Sequence, residues 1–415
     1  MCWPNGKPFP RLKSTAHIAH RGTHMSKRTY IGSRAEGFAR LVFMLGKGIR
    51  MLTERTPGGS QTRSKQWGVF GCGVFPQTIL SARGSKVASD DGRVFLDWMS
   101  ALASVGLGYC HTEVDEAVIR QITDNGIALP MPSRLEDNVA GLLMESIKFG
   151  QQVRFVKTGS EATSAAMQIA RAYTRRKKVI SIGYHGWHEA HLPSENLVDV
   201  PWGSWGGLGE IDCRTAAVIL EPMRDSDSTP DGTPVSPYIG NIQERCHDMG
   251  ALFILDEMVT GFRWAIGGAS EYLGITPDLA CYGKAMANGY ALGAVVGPRK
   301  FMKHAHDVSS TFGGEGVGLA AAKATIEVYR REPVIKRLWE VGRKLLAGCP
   351  SLTGYPVHPH FRNSDNWTTS DACISYVQAA AKEGVLIHPA GMNPTYAHSD
   401  ADVTRTIEVI NRATS

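Results

Sequence analysis

Six short apolar runs, spaced along the middle of the chain, constrain its fold more than any other feature. They occupy residues 153–156, 179–182, 216–220, 251–255, 279–282 and 294–296, and helical or looping stretches separate them. Such alternation is typical of a mainly parallel, doubly wound sheet with helices on both faces. The sequence therefore predicts an α/β fold, and its 415 residues with 43% apolar content are enough for two or three domains.

A carboxylate and a lysine stand at the ends of two of these runs. Asp256 follows the run 251–255, and Lys284 lies just beyond the run 279–282. Because ligands bind outside the carboxyl ends of the strands in an open parallel sheet, the two residues together indicate a cofactor site. Taken singly, the Asp would serve as a helix cap and the Lys as a solvated charge.

The motifs around these two residues carry a resemblance to a known family. ILDEMVTGFR followed by GITPDLACYGKAMANGY resembles the core signature of the class III pyridoxal-phosphate (PLP) aminotransferases, and within them the glutamate-1-semialdehyde 2,1-aminomutase-like branch. The resemblance runs from about residue 57 to 410. It implies a fold-type I PLP-dependent transferase, in which a large domain holds the doubly wound sheet and a smaller α/β domain accompanies it.

The resemblance also assigns roles to the two charged residues. It implies that Asp256 faces the pyridine nitrogen and that Lys284 forms a Schiff base with the cofactor aldehyde. A buried carboxylate keeps the pyridinium protonated, so that the ring can accept the electrons of a substrate carbanion. A lysine displaced by substrate can shuttle protons as a free amine.

A phosphate site is expected in TGSEATSAAMQIARAY, which follows the first apolar run. Gly159 and Ser160 open a predicted helix whose first N–H groups and positive dipole end suit a dianionic phosphate. The motif resembles the family's phosphate cup. Without the neighbouring motifs, the same residues would indicate only a helix cap with a Glu in the first turn.

GYHGWHEAH, residues 183–191, begins at the end of the second run and contributes to the expected cofactor site. By resemblance, Tyr184 stacks on the cofactor ring, a contact that suits an aromatic face, and His185 beside it belongs to the same site. The three histidines His185, His188 and His191 lack the HExxH order and a cysteine partner, so no metal site is predicted.

Three further cofactor residues enter by the same resemblance. Glu221 of LEPMRD is expected to line the pocket, with a buried structural acid as the alternative. Met258 falls on the same side of an extended chain as Asp256 and is expected to pack beneath the ring. Thr311 of SSTFGGEG is expected to reach the phosphate of the neighbouring subunit, which implies a homodimer with shared active sites.

The segment TPGGSQTRSK, residues 56–65, resembles a family segment in which an arginine binds the substrate carboxylate. Lys65 stands at the place of that arginine, and Arg63 lies two residues earlier. Both are candidate substrate-binding residues. Because Lys lacks the planar fork of Arg, the departure puts glutamate semialdehyde in doubt as the substrate. The alternative is a surface Gly turn with solvated charges.

The domain prediction divides the chain into four parts. Residues 1–30 form a basic, disordered extension, 31–95 an N-terminal helix and hairpin segment of the small domain, 96–329 the large PLP-binding domain, and 330–415 the C-terminal small domain. The first 40 residues carry eight Lys and Arg against one acid, so they account for the net charge of +6, and the remaining residues are nearly neutral in sum. Nucleic-acid binding is therefore expected only through the basic tail, if at all.

The predicted function is a PLP-dependent aminotransferase or aminomutase that moves an amino group on a small amine or amino acid by a Schiff base and a 1,3-proton shift. Two alternatives stay open: a decarboxylase or lyase of the same fold acting on an amino acid, free or attached to a carrier, and a non-catalytic binding protein of this fold. No apolar run approaches the roughly 20 residues that span a bilayer. The eight cysteines form no CxxC pair, which favours a cytoplasmic location.

Overall fold

The computed structural model describes residues 55–188, 196–222, 233–362 and 371–414. The predicted extension 1–30 and the predicted N-terminal helix lie outside the described residues. Residues Arg55–Ser415 form one compact unit, and the boundaries proposed at 95/96 and 329/330 stay predictions. No helix in the described part is long and apolar enough to cross a membrane.

Thirteen strands occur in the described residues. In chain order they are β1 Ile79–Arg83, β2 Lys86–Ser89, β3 Val94–Asp97, β4 Gln152–Val156, β5 Lys178–Ile182, β6 Leu197–Asp199, β7 Thr215–Leu220, β8 Leu252–Asp256, β9 Leu279–Tyr282, β10 Gly293–Gly297, β11 Leu352–Thr353, β12 His360–Phe361 and β13 Val385–Leu386.

Ten right-handed α-helices accompany these strands in the same described ranges. They are α1 Thr112–Arg120, α2 Arg134–Ser146, α3 Gly159–Thr174, α4 Val235–Asp248, α5 Ala269–Leu273, α6 Arg299–Met302, α7 Gly316–Arg331, α8 Val334–Gly348, α9 Asp371–Lys382 and α10 Asp400–Thr414.

The central sheet has seven strands in the order β4-β10-β9-β8-β7-β5-β6. β10 runs antiparallel to both of its neighbours, and the other strands are parallel to one another. All six predicted strands are confirmed, and β6 at the edge was not predicted. The carboxyl ends of β4, β5, β7, β8 and β9 therefore meet at one edge of the sheet, where a ligand site is expected.

The apolar runs are continuous because helices cover both faces of the sheet. Within β7, the side chain of Val218 packs into a core with α1, α2, α4 and α7, while Ala217 and Ile219 face a second core built largely by α3. This alternation follows the two-residue period of a strand. The two cores fix the sheet between two helical layers.

A second sheet, in the order β1-β2-β3-β13, joins distant parts of the chain. β2 and β3 form the predicted hairpin, and β13 pairs in parallel with β3, with Val385 opposite Leu96. Helices α8 and α10 pack on this sheet through a core that contains Trp98, Leu345 and Val409. The N-terminal hairpin and the C-terminal segment therefore share one structural layer.

Candidate active site

A cavity of about 310 Å³ opens where the five parallel strands end. Each of these strands is followed by residues that line it, in line with the rule for ligand sites in open α/β sheets. The predicted cofactor residues that the structure brings together here are Gly159 and Ser160 after β4, Tyr184 and His185 after β5, Glu221 after β7, Asp256 and Met258 at and after the end of β8, and Lys284 after β9.

Asp256 is buried, with 2% of its surface exposed, and it has two hydrogen-bond partners. Its Oδ2 lies 2.8 Å from Nδ1 of His185, and its Oδ1 accepts a hydrogen bond of 3.0 Å from the N–H of Met258. A carboxylate can accept about four hydrogen bonds, so one more donor can be accommodated. Burial with these two donors suits a carboxylate that is to face a protonated ring nitrogen.

His185 is as deeply buried as the acid, at 1% exposure. Its Nδ1 contacts Asp256, its carbonyl accepts a hydrogen bond from Thr163, and its Nε2 has no hydrogen-bond partner among the described residues. An Nδ1–H donor to the carboxylate stabilises the charge of the acid in the interior. The geometry therefore gives His185 a role in holding Asp256.

The thiol of Cys281 packs behind the acid, since Asp256 and Cys281 are paired on neighbouring strands. Burial, together with the charge of Asp256, raises the pKa of this thiol well above its usual range. The thiol therefore stays protonated and serves as an apolar backing.

Lys284 begins a short 3-10 turn, Lys284–Ala287, directly after β9. It has a left-handed backbone with φ 45°, and Asn288, which ends the turn, has the same value. A glycine precedes it because a Cβ on Gly283 would lie 2.5 Å from Sδ of Met258. Left-handed non-glycine residues cost about 1–3 kcal/mol and cluster at functional sites, so the surrounding contacts must hold this turn.

Asn288 provides such contacts to the segment opposite. Its Oδ1 accepts hydrogen bonds from the N–H groups of Gly106 and Leu107, and its Nδ2 donates to the carbonyl of Gly108. The turn that carries Lys284 is thereby tied to the cavity wall that includes Ser104. No motif predicted this role, because the partners lie about 180 residues away in the chain.

The cavity wall also contains a left-handed turn at residues 100–103, with φ between 48° and 67°. Asp97 accepts the N–H groups of Met99 and Ser100 at its start. At its end, the buried guanidinium of Arg263 donates twice to the carbonyl of Ala103, and also to the carbonyls of Val105 and Pro394. Arg263 belongs to the TGFR part of the signature, but no local pattern indicated this contact.

One end of the cavity lies at the start of α3, where the sequence predicts the phosphate site. Thr158 and Glu161 form a capping box there, so the helix cap is present, while the phosphate site stays a prediction. Gly159 and Ser160 line the cavity as well, and a Cβ on Gly186 would lie 2.1 Å from Oγ of Ser160. The loop after β5 therefore folds closely over a helix N-terminus that suits an anion.

Lys157 lines the same cavity and was not among the predicted site residues. Its Nζ forms an ion pair with Oε1 of Glu315. Glu315 also caps α7 by accepting the N–H groups of Val317 and Gly318 at 2.8 Å each. The pair connects the cavity near the start of α3 to the segment that carries Thr311.

The backbone at Met258 differs from the sequence prediction. The chain turns immediately after β8, and the N–H of Met258 bonds back to Asp256, so the extended chain expected here is wrong. The side chain nevertheless lines the cavity, because its sulfur packs against Gly159 and Gly283.

Tyr184 is 58% exposed at the cavity, and its N–H donates to Oε2 of Glu221 at 3.3 Å.

Three predicted residues lie outside the lining of this cavity. Thr311 is exposed in the turn that precedes α7, and Arg63 is exposed in the turn Arg63–Lys65. Lys65 lines a second cavity together with Asp97 and Tyr109. Their roles in subunit sharing and substrate binding stay predictions.

The residues present fit a phosphorylated, aldehyde-bearing pyridine. A helix N-terminus suits the phosphate, a buried carboxylate suits the ring nitrogen, and a lysine at the same cavity suits the aldehyde. The orphaned Nε2 of His185 shows that polar atoms are buried there beyond what the described residues satisfy. In the described residues, no three His, Cys, Asp or Glu side chains cluster in a way that could hold a metal ion.

Comparison with known proteins agrees with this geometry. The family profile described as "Aminotransferase class-III" matches residues 72–193 and 208–414. The 3-aminobutyryl-CoA aminotransferase of Cloacimonas acidaminovorans is 30% identical over 82% of this chain and 89% of its own length. A glutamate-1-semialdehyde 2,1-aminomutase of Natranaerobius thermophilus is 27% identical over 82% of this chain and 91% of its own length.

The fold has solved counterparts. The FumI protein of Sphingopyxis sp. MTA144, determined as the PLP internal aldimine form, superposes with a TM-score of 0.78 and 27% sequence identity. The similarity covers 87% of this chain and 93% of that chain.

Proposed function

Because the chain belongs to the class III aminotransferase family and PLP is its cofactor, we propose that Lys284 and Asp256 are the catalytic residues of an amino-group transfer. The enzyme is an aminotransferase or aminomutase. The observation that carries the proposal is the single cavity, at the carboxyl ends of the parallel strands, that Lys284, Asp256 and the start of α3 line together.

The chain's own residues perform distinct tasks in this proposal. PLP, when bound, supplies the electron sink for the pair left on the substrate carbon. Nζ of Lys284 takes the proton from the amino-bearing carbon and delivers it at the end of the 1,3-shift. Asp256, held by His185 at 2.8 Å, keeps a negative charge opposite the ring nitrogen. Gly159 and Ser160 orient the phosphate at the start of α3.

We further propose that the enzyme is a homodimer in which Thr311 reaches the partner's cofactor phosphate. In its support, α1 and the chain after it expose a set of large apolar side chains: Ile119, Ile122, Ile127, Leu129 and Met131. This set adjoins the segment of Thr311, since the carbonyl of Ile127 accepts the N–H of Gly316 at 2.8 Å. Phe312 beside Thr311 is 56% exposed. Large apolar side chains exposed along one short segment are typical of interaction sites.

Arg63 and Lys65 are proposed to bind an anionic group of the substrate. Both are exposed cations in one turn, and the carbonyl of Ser64 between them lies 3.1 Å from Nε2 of His388. That contact anchors the turn to the C-terminal part of the chain.

A cytoplasmic location is proposed as well, because the cysteines in the described residues are all free thiols.

An aminomutase is the second candidate, favoured by the 27% identical relative that carries this name. An aminotransferase passes the amino group through the cofactor to a second substrate, whereas an aminomutase returns it to the same substrate. Incubation of the purified holoenzyme with single amines, without an acceptor, separates them: an aminotransferase accumulates the pyridoxamine form and one equivalent of carbonyl product, whereas an aminomutase yields an isomeric amine. Release of carbon dioxide instead would favour the decarboxylase alternative.

Variants test the role of the lysine. Lys284→Ala should abolish turnover while the protein stays folded, and Lys336→Ala, at an exposed position on α8, should behave like the wild type. Full turnover by Lys284→Ala would refute the proposal.

A further inference from the structure

Glu257 is a fully buried acid that the chemistry proposed above does not use. It stands between Asp256 and Met258, which both line the cavity at the strand ends, but its own carboxyl group is turned toward the start of α5. Burial raises the pKa of this carboxyl group from 4.5 to about 7. Buried acids with perturbed pKa values cluster at functional sites, so Glu257 is a candidate for a role in the reaction.

The carboxylate of Glu257 closes the loop that follows β8. Its Oε2 accepts the N–H of Ala269 at 2.8 Å and the hydroxyl of Thr260, and its Oε1 accepts the N–H of Ser270 at 2.7 Å. A Cβ on Gly268 would collide with this carboxylate, so the loop needs a glycine there. One side chain therefore joins the two ends of the loop.

The closed loop also fixes the backbone that carries Asp256. On the strand side, Asp256 is paired with Cys281 of β9. On the loop side, the carbonyl of Glu257 accepts the N–H of Gly261 at 2.8 Å, while its carboxylate binds the start of α5. The peptide between Asp256 and Glu257 is therefore held from both directions. Supporting hydrogen bonds of this kind keep a functional side chain in its productive orientation.

We propose that Glu257 is a positioning residue for the amino-group transfer: its carboxylate holds the backbone after β8, so that Asp256 is aligned with the ring nitrogen of PLP. This inference rests on the proposed role of Asp256. A hydrogen bond weakens steeply when donor and acceptor are misaligned, so a loosened loop should weaken the contact between Asp256 and the ring. The expected effect is therefore specific to the ring nitrogen.

A cofactor analogue without the ring nitrogen isolates this effect. The full-length protein, freed of cofactor, is titrated with PLP and with deaza-pyridoxal phosphate, in which carbon replaces the ring nitrogen. Both dissociation constants are measured by quenching of tryptophan fluorescence. The wild type should prefer PLP about tenfold or more, because only PLP offers a charged hydrogen-bond donor to Asp256. Asp256→Ala should lose this preference.

Glu257→Gln is the main variant. It keeps the shape of the side chain but places an amide NH₂ opposite one of the two backbone N–H groups, whichever way the amide is turned. It should lower the preference for PLP about threefold or more, because Asp256 is then less well aligned. A purely structural loss would weaken the binding of both cofactors equally and leave their ratio unchanged.

Two further variants on the same loop complete the test. Thr260→Val removes one donor to the carboxylate of Glu257 and should lower the preference in the same direction, so it decides the question if Glu257→Gln does not fold. Glu271→Gln is the matched control, because this exposed acid accepts the N–H of Gly267 at 2.8 Å. It should keep the wild-type preference.

The outcomes separate the inference from the proposed function. A wild type that binds both cofactors equally would refute the proposed role of Asp256, and the inference with it. A wild-type preference that Glu257→Gln and Thr260→Val both retain would overturn the inference alone. An equal loss of preference in Glu271→Gln would also overturn it, because general loosening of the loop would then explain the effect.

Discussion

Replacement of Arg263 by methionine should destabilise the wall of the cavity that Lys284 and Asp256 line. The guanidinium is buried, with 1% exposure, and donates to the carbonyls of Ala103, Val105 and Pro394 at 2.9–3.1 Å. Pro394 lies almost 300 residues after Ala103 and Val105, so one side chain joins the left-handed turn to the C-terminal segment. Methionine keeps much of the volume and removes all the donors.

The expected loss of stability follows from two opposing contributions. A buried acceptor left without a donor costs about 2 kcal/mol, hence roughly 6 kcal/mol for three carbonyls. The guanidinium is itself costly to bury, because burial lowers the pKa of Arg263 from 12.5 to about 10. That pKa difference corresponds to roughly 3 kcal/mol, which methionine recovers. The net expected decrease in the free energy of unfolding is about 3 kcal/mol.

Urea unfolding of the holoenzyme, followed by tryptophan fluorescence, measures this decrease. Arg331→Met is the matched control, because Arg331 is half exposed and pairs with Glu113 at 2.7 Å, and an exposed ion pair contributes about 1 kcal/mol or less. Arg263→Lys keeps the charge without the planar fork and should recover only part of the loss. Equal stability of Arg263→Met and Arg331→Met would show that the buried hydrogen bonds of Arg263 contribute no net stability.

Three further predictions concern single side chains. Burial lowers the pKa of His398 to about 4, so the neutral form contributes roughly 3 kcal/mol to the free energy of unfolding above pH 6.5, and this contribution is lost as the pH falls from 6.5 to 4. Urea unfolding over this pH range should show a smaller loss of stability in His398→Gln than in the wild type. Equal losses of stability in the two proteins would contradict this prediction. His185→Phe should weaken PLP binding about tenfold or more in a spectroscopic titration, because it removes a hydrogen bond to the charged Asp256, whereas His247→Phe on the surface should not. Lys65→Met should raise KM for amines that carry a carboxylate and leave kcat unchanged; an unchanged KM would exclude Lys65 from substrate binding.

The sequence predicted the core of the fold because local patterns determine it. Five of the six predicted strands, β5 and β7 to β10, are buried on both faces, so their continuous apolar runs stand out against the helices between them. The edge strand β6 has three residues and β13 has two, which is too short for any periodicity to appear. Both form because longer neighbours offer them hydrogen bonds, a tertiary effect that no local pattern reports.

The residues of the candidate site also differ in whether local or distant contacts determine their roles. The positions of Asp256, the last residue of β8, and Lys284, which follows β9 after one glycine, could be predicted, since a strand end fixes where its side chains lie. The roles of Asn288 and Arg263 depend on contacts between segments some 130 to 180 residues apart, so their sequence neighbourhood gives no signal. The turn at Met258 was missed because a local hydrogen bond to Asp256 replaces the extended chain.

Borohydride reduction of the holoenzyme, followed by peptide mass spectrometry, identifies the lysine that binds the cofactor aldehyde. Among the described residues, two lysines line the cavity at the strand ends, Lys157 and Lys284, and only Lys284 is proposed to bind the aldehyde. Lys157 is held in an ion pair with Glu315 and should stay unmodified. We expect one reduced pyridoxyl-phosphate group, on Lys284, and a stoichiometric modification of Lys157 or of any other lysine would show that Lys284 does not bind the aldehyde.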